Sequence, residues 1–191
     1  YAETDYRLFF GRESERDIIT ANIMGSRLTL VYGPSGVGKS SVLRAGVVHG
    51  IREMAREEAG EDGTPNFVVA FFNQWRDDPL TGLRNEIRSS VQNATDKALS
   101  IPTNLSFAEE LKALAEAVSG KLLIILDQFE EYFLYPQKDG EGSFAYEFPL
   151  AISRPDVRAN FIVSLREDWY TKLDRFKTSI PHLFDNNLRV D

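Results

Sequence analysis

Four largely apolar runs punctuate the chain: Leu28-Thr29-Leu30-Val31-Tyr32, Phe67-Val68-Val69-Ala70-Phe71-Phe72, Leu122-Leu123-Ile124-Ile125-Leu126 and Asn160-Phe161-Ile162-Val163-Ser164-Leu165. Short runs with little polar alternation predict strands covered on both faces, as in a parallel sheet. Leu188 to Val190 predicts the start of a fifth strand. Between these runs the apolar spacing changes to three and four. A helix is predicted from Glu15 to about Met24, with Ser14 and Asp17 resembling a capping box, Ile18, Ile19 and Ile23 on one face and Gly25 as the stop. Val42, Leu43, Val47, Ile51, Met54 and Ala55 predict a helix that ends near Glu58. Leu83, Ile87 and Val91 do the same for residues 80–98. Ser106 with Glu109 is a second capping box, opening a helix through Leu111, Leu114, Ala115 and Val118 that Gly120 stops. Further helices are predicted over 144–153, where Pro149 is a weak point, and from Arg166 to about Thr178.

Strands alternating with helices predict an α/β fold. Its sheet would be mostly parallel, of about five strands, with helices on both faces. Ligands of such sheets sit beyond the carboxyl ends of the strands. A loop beginning at Gly33, Trp75, Asp127 and Arg166 all follow predicted strand ends closely. Trp75 reads as a packing residue against the helix layer, with part of a nucleotide rim as the alternative. The segments 60–66 and 137–143 are polar, Gly-containing loops, and residues 6–10 are aromatic-rich.

Composition narrows the picture without redirecting it. The 191 residues suffice for one domain with a real core. A formal net charge of −7 argues against a surface devoted to nucleic acid but leaves room for one anion in a locally positive loop. The absence of cysteine excludes disulfides and cysteine-based zinc sites, and His49 and His182 are too few for a histidine metal site. No apolar run approaches the roughly 18 residues of a membrane span, and the first residues lack the apolar stretch of a signal peptide. The expected location is the cytoplasm. The chain opens without Met, which suggests an excerpt from a longer protein.

The candidate chemistry begins with Gly33-Pro34-Ser35-Gly36-Val37-Gly38-Lys39-Ser40, which fits the phosphate-loop pattern G-x-x-x-x-G-K-[ST] at every fixed position, with Ser41 next in line. Glycines let successive backbone N–H groups turn toward phosphate oxygens. Lys39 supplies charge to the terminal phosphates, and Ser40 offers a hydroxyl to Mg²⁺. A strand before and a helix after give the loop its required setting, and the helix aims its positive end at the same anion. Asp127 ends the third strand, with Glu130 and Glu131 just beyond. A carboxylate there suits Mg²⁺, so Asp127 is taken as a metal ligand beside Ser40. Glu130 is taken as the base for an attacking water, with Glu131 as its substitute. Arg166 follows the fourth strand, where it reads either as a γ-phosphate contact or as a salt-bridge partner of Glu167 or Asp168. Arg154 and Arg158 precede that strand and read as surface arginines, with arginine fingers toward a neighbouring subunit as the alternative.

These residues resemble a family. Phe10-Gly11-Arg12-Glu13 with Glu15, the phosphate loop running into Arg44-Ala45-Gly46, Leu126-Asp127-Gln128-Phe129-Glu130-Glu131 and Ser164-Leu165-Arg166-Glu167-Asp168 are similar to the nucleotide-binding domain of STAND NTPases, relatives of the AAA+ group. The bacterial novel-STAND type is the nearest subgroup, with a counterpart to Trp75–Pro79. The resemblance implies the three-layer P-loop NTPase sandwich, ATP or ADP with Mg²⁺, and a contact from Arg12 to nucleotide. It also implies a slow, regulatory ATPase that is closed with ADP and self-associates with ATP, in a signalling or antiphage-defence protein. Effector and sensor domains, a helical lid and a winged helix would lie outside these residues. On this reading residues 1–26 form a segment and helix leading into an NTPase core at 27–191. A small-molecule kinase and a non-hydrolysing nucleotide-bound scaffold are the alternatives. The Gly11-Arg12-Glu13 segment disfavours the first, and Asp127, Glu130 and Arg166 disfavour the second.

Overall fold

Five parallel strands form one sheet in the order β2-β3-β4-β1-β5. They are β1 Leu28–Gly33, β2 Phe67–Phe72, β3 Lys121–Leu126, β4 Ala159–Arg166 and β5 Asn187–Arg189. The computed structural model describes residues 11–60, 63–95, 99–102 and 104–191. The aromatic stretch at 6–10 therefore lies outside the described residues. The fold is α/β with helices on both faces, as the alternation of patterns predicts. β4 lies between β1 and β3, pairing Gly33 with Arg166 on one side and Leu126 with Val163 on the other. This register brings the carboxyl ends of β2, β3, β4 and β1 to one edge.

Each face of the sheet carries its own core. Val31, Val69, Ile125 and Ile162 pack beneath α1 (Glu13–Gly25) and the helix that follows the phosphate loop. Leu30, Val68, Leu122 and Phe161 pack beneath α4 (Pro79–Thr95), α5 (Phe107–Ala117) and α6 (Phe144–Ser153). The capping box of Ser106 and Glu109 forms at the start of α5. That of Ser14 and Asp17 does not. α1 starts two residues earlier than predicted, at Glu13, with Arg12 at its cap and no side-chain bond there. Its other end is tied down from the sheet: Asn160 donates to the carbonyls of Ile23 and Met24, and Lys121 donates to Met24.

The helix after the phosphate loop runs from Lys39 to Glu57, but not uniformly. α2 (Lys39–Ser41) and α3 (His49–Glu57) flank a π-helical stretch, Val42–Val48. The wider turn buries six of its seven residues. Arg44 is the one left over, and its guanidinium lies 4.4 Å from the Phe71 ring centre. A π stretch of this kind often accompanies a functional site.

β4 extends one residue further than predicted and ends in Arg166 itself. The chain from Glu167 to Phe176 is 3₁₀ rather than α-helical. β5 begins at Asn187, one residue before the predicted start. Arg154 and Arg158 lie at the amino end of β4, across the sheet from the phosphate loop. Arg154 chelates Asp156, and Arg158 donates to the Ala115 carbonyl.

α4 and α5 are locked by a buried carboxylate. Glu110 is 1% exposed and accepts from Arg84 at 2.7 Å and from Arg88. Glu147 on α6 accepts the Phe107 N–H at 2.9 Å, fastening the start of α5 to the next helix.

Candidate functional site

The phosphate loop bridges β1 and α2. Gly36 and Gly38 have φ of +83° and +90°, a region costly for side chains, so both are needed for the turn. Gly33 serves differently. A Cβ there would stand 2.1 Å from the Val190 carbonyl oxygen, so its glycine admits the neighbouring backbone. Lys39 folds back over the loop, and its ammonium donates to the carbonyls of Gly33 and Pro34, both at 2.8 Å. Burial pulls its pKa below the ordinary lysine value, against the opposing pull of Glu130 and Asp127.

Across β4 from this loop, the chain leaves β3 through a tight turn. Asp127 is 2% exposed, and its Oδ2 is buried without a hydrogen-bond partner. Gln128 adopts φ +53° and ψ +41°, and a 3₁₀ segment, Phe129–Phe133, follows. Phe129 and Tyr132 recur at the spacing that aligns residues in such a helix, and both are fully buried among aromatic rings. Glu130 is thereby turned the other way, toward the loop. Its carboxylate accepts the backbone N–H of Arg166 at 3.1 Å. Burial raises the Glu130 pKa above its ordinary value, while backbone N–H groups and Lys39 resist the shift.

These pieces enclose a cavity of about 300 Å³ lined by Ser35, Gly36, Gly38, Lys39, Ser40, Ser41, Asp127, Gln128, Glu130, Ser164 and Arg166. Most of the residues singled out in the sequence therefore meet at one place. Others do not line it. Glu131 is half-buried outside the cavity, and Arg12 pairs with Glu15 at 3.4 Å on the first turn of α1. Gly33, Pro34 and Val37 belong to the loop without lining the cavity. The guanidinium of Arg166 takes the salt-bridge alternative, gripping Asp168 with bonds of 3.0 and 2.7 Å.

Two lining residues were not among the predicted site residues. Ser164 is fully buried on β4 with its hydroxyl unpartnered. A hydroxyl inside an otherwise apolar strand was the signal that could have found it. Gln128 had none, because a left-handed non-glycine residue leaves no pattern. A larger cavity, about 420 Å³, lies between α3 and α4 beside the amino half of β2 and contains no residue of the phosphate loop.

The donor set fits Mg²⁺, a hard cation that takes oxygen ligands: a Ser40 hydroxyl in the cavity wall and a buried carboxylate oxygen on Asp127 that nothing else satisfies. Among the described residues no cluster of three or more His, Cys, Asp or Glu could hold a metal alone. Phosphate and water oxygens would complete such a shell.

A phosphate loop after β1, a carboxylate turn after β3 and β4 set between them define a P-loop NTPase domain. The chain belongs to the family Novel STAND NTPase 1, which matches residues 1–190. Solved structures share the fold at low identity. The Aeropyrum pernix ORC2 protein, in ADPNP–ADP complexes, superposes with a TM-score of 0.64 at 18% identity over 95% of this chain and 48% of its own. Cdc6p from Pyrobaculum aerophilum gives 0.58 at 14% over 95% and 45%. The Walker-type ATPase PABY2304 of Pyrococcus abyssi gives 0.56 at 18% over 95% and 53%. The chain thus spans about half the length of these structures. No curated protein matches its sequence. No described helix is long and apolar enough to cross a membrane.

Proposed function

We propose that this domain binds ATP and hydrolyses it slowly with Mg²⁺, acting as the switch of a multidomain bacterial signalling or antiphage-defence protein. One observation carries the ATPase reading: Lys39, Ser40, Asp127 with its buried, unpartnered Oδ2, and inward-turned Glu130 share the wall of a single cavity. The switch role, self-association with ATP and coupling to effector and sensor domains rest on the family. Cytoplasmic residence is part of the same reading.

In this mechanism the loop N–H groups between Ser35 and Ser40 hold the β- and γ-phosphates. Lys39 leaves the Gly33 and Pro34 carbonyls to meet the terminal phosphate. Ser40 and Asp127 would hold Mg²⁺, which would supply charge neutralisation at the phosphate oxygens. Glu130 takes the proton of the attacking water, and its raised pKa makes the carboxylate a stronger base than an exposed one. The Arg166 N–H fixes which Glu130 oxygen stays occupied and so orients the other. Arg166 reaches the γ-phosphate only by exchanging Asp168 for it.

The test is ATP binding by calorimetry and phosphate release, compared with GTP and with added phosphate acceptors. Binding with Mg²⁺-dependent phosphate release to water supports the proposal. Transfer to an acceptor would make the domain a kinase, and absence of binding would overturn the reading. Glu130→Gln should bind ATP as the parent does and lose about 100-fold in turnover. Unchanged turnover would remove Glu130 from the base role. Turnover should also rise with pH through an apparent pKa above the ordinary glutamate value, because the base works only when ionised and burial raises its pKa. At the alkaline end it should fall as Lys39, whose pKa is lowered, loses its proton.

A further inference from the structure

Trp75 follows β2, which β3 and β4 separate from the strand that carries the phosphate loop, and is 1% exposed. The expected reading was packing against the helix layer, and it does pack. Its ring meets Phe72, Phe129 and Phe144 edge-on, with centroids 5.0, 4.9 and 5.5 Å away. Packing does not account for its indole N–H, which donates to the backbone carbonyl of Asp127 at 2.8 Å. The same ring also stands edge-on to Tyr132, at 6.0 Å. Trp75 therefore holds the residue before the left-handed Gln128 by a hydrogen bond and the residues on both sides of Glu130 by ring contacts. Asn73, from the same segment, reaches the Gln128 side chain at 3.4 Å.

We infer that Trp75 is a positioning residue for the Asp127–Glu130 turn, fixing the carboxylate of Glu130 against the Arg166 N–H. The inference rests on the reading of that turn as the water-activating side of the site. The geometry explains why one donor matters here. Asp127 is held twice, by its own N–H on the Phe72 carbonyl at the end of β2, at 2.8 Å, and by its carbonyl on the Trp75 indole N–H just beyond that strand. With one tie the peptide after Asp127 can rotate, and with both its plane is set. Gln128 must then take its left-handed conformation, and the 3₁₀ segment starts with Glu130 facing the cavity. A buried carbonyl that loses its donor is left without water to replace it.

The test uses two replacements of Trp75 in the full chain: Trp75→Phe, and the isostere in which sulfur replaces the indole N–H. Both keep an aromatic ring, and only the second keeps its volume. The expected result is ATP affinity within about two-fold of the parent and kcat lowered about ten-fold in both, the equivalent of one hydrogen bond. Amide hydrogen exchange provides a readout independent of turnover. The Arg166 amide, protected by Glu130, should exchange about ten-fold faster in both variants, while Leu30 and Val31 in β1 stay unchanged. A sulfur isostere that behaves like the parent would overturn the inference in favour of packing. Exchange that quickens equally in β1 would overturn it as general loosening. If the parent chain itself releases no phosphate, the ATPase reading fails, and the Arg166 amide alone still decides whether Trp75 positions the turn.

Discussion

Lys39→Ala is expected to weaken ATP binding by about 2–5 kcal/mol, or roughly 30-fold to several thousand-fold in Kd, as for truncating one partner of a buried charged pair. The loop glycines and the helix end would remain, but the cation between the Gly33 and Pro34 carbonyls and the cavity would be gone. The Pro34 carbonyl is exposed and can turn to water, so the loss of fold stability should come from the carbonyl of buried Gly33 and stay within about 1–3 kcal/mol. Titration calorimetry with a thermal melt separates the two effects. Parent-like affinity in a folded Lys39→Ala protein would show that this loop does not hold the terminal phosphates. Lys39→Arg should not restore binding fully, since a planar fork does not fit a site shaped for a point charge.

Glu110→Ala has the largest expected effect on stability, about 3–5 kcal/mol. It would leave the charges of Arg84 and Arg88 crowded at the α4–α5 junction with their shared carboxylate gone. Arg84 would keep its bond to the Leu105 carbonyl at 3.0 Å, so collapse of the junction should be partial. Urea unfolding should show a lower midpoint with nearly the same slope, as for a native-state defect. A domain of this size has on the order of 5–15 kcal/mol in hand. The variant should therefore fold in the cold and melt early. A midpoint shift worth less than about 1 kcal/mol would mean that the two half-buried arginines do little to offset the burial of Glu110.

The contrast between these residues shows what the sequence made legible. Lys39 and Ser40 were readable because a phosphate cradle needs fixed residue types at fixed spacing, and local chain geometry alone builds it. Asp127 was readable because a carboxylate closes an apolar strand. The strands were legible for the same reason: both faces of a parallel sheet are covered, so the apolar runs are continuous. Glu110 was not legible. On α5 it has the look of a solvated charge, and only α4, more than twenty residues earlier, supplies the arginines that bury it. Trp75 was seen as packing, but the acceptor of its N–H lies 52 residues away and is a carbonyl, which no side-chain pattern announces. The choice between Glu130 and Glu131 as cavity residue depended on Gln128 turning left-handed, again a tertiary outcome. The π stretch at Val42–Val48 escaped because its residues satisfy an α pattern equally well.

The close approach of Gly33 to Val190 has a mechanical consequence. β5 is three residues long, and its last contacts with β1 are the Val190 N–H on the Tyr32 carbonyl, at 2.8 Å, and the Val190 carbonyl lying over Gly33. Tension applied at Asp191 would reach these contacts before any other part of the sheet. Peeling β5 away would uncover the first glycine of the phosphate loop while the four-stranded remainder stayed paired. Force on Asp191 is thus delivered first to the residue from which the phosphate loop departs.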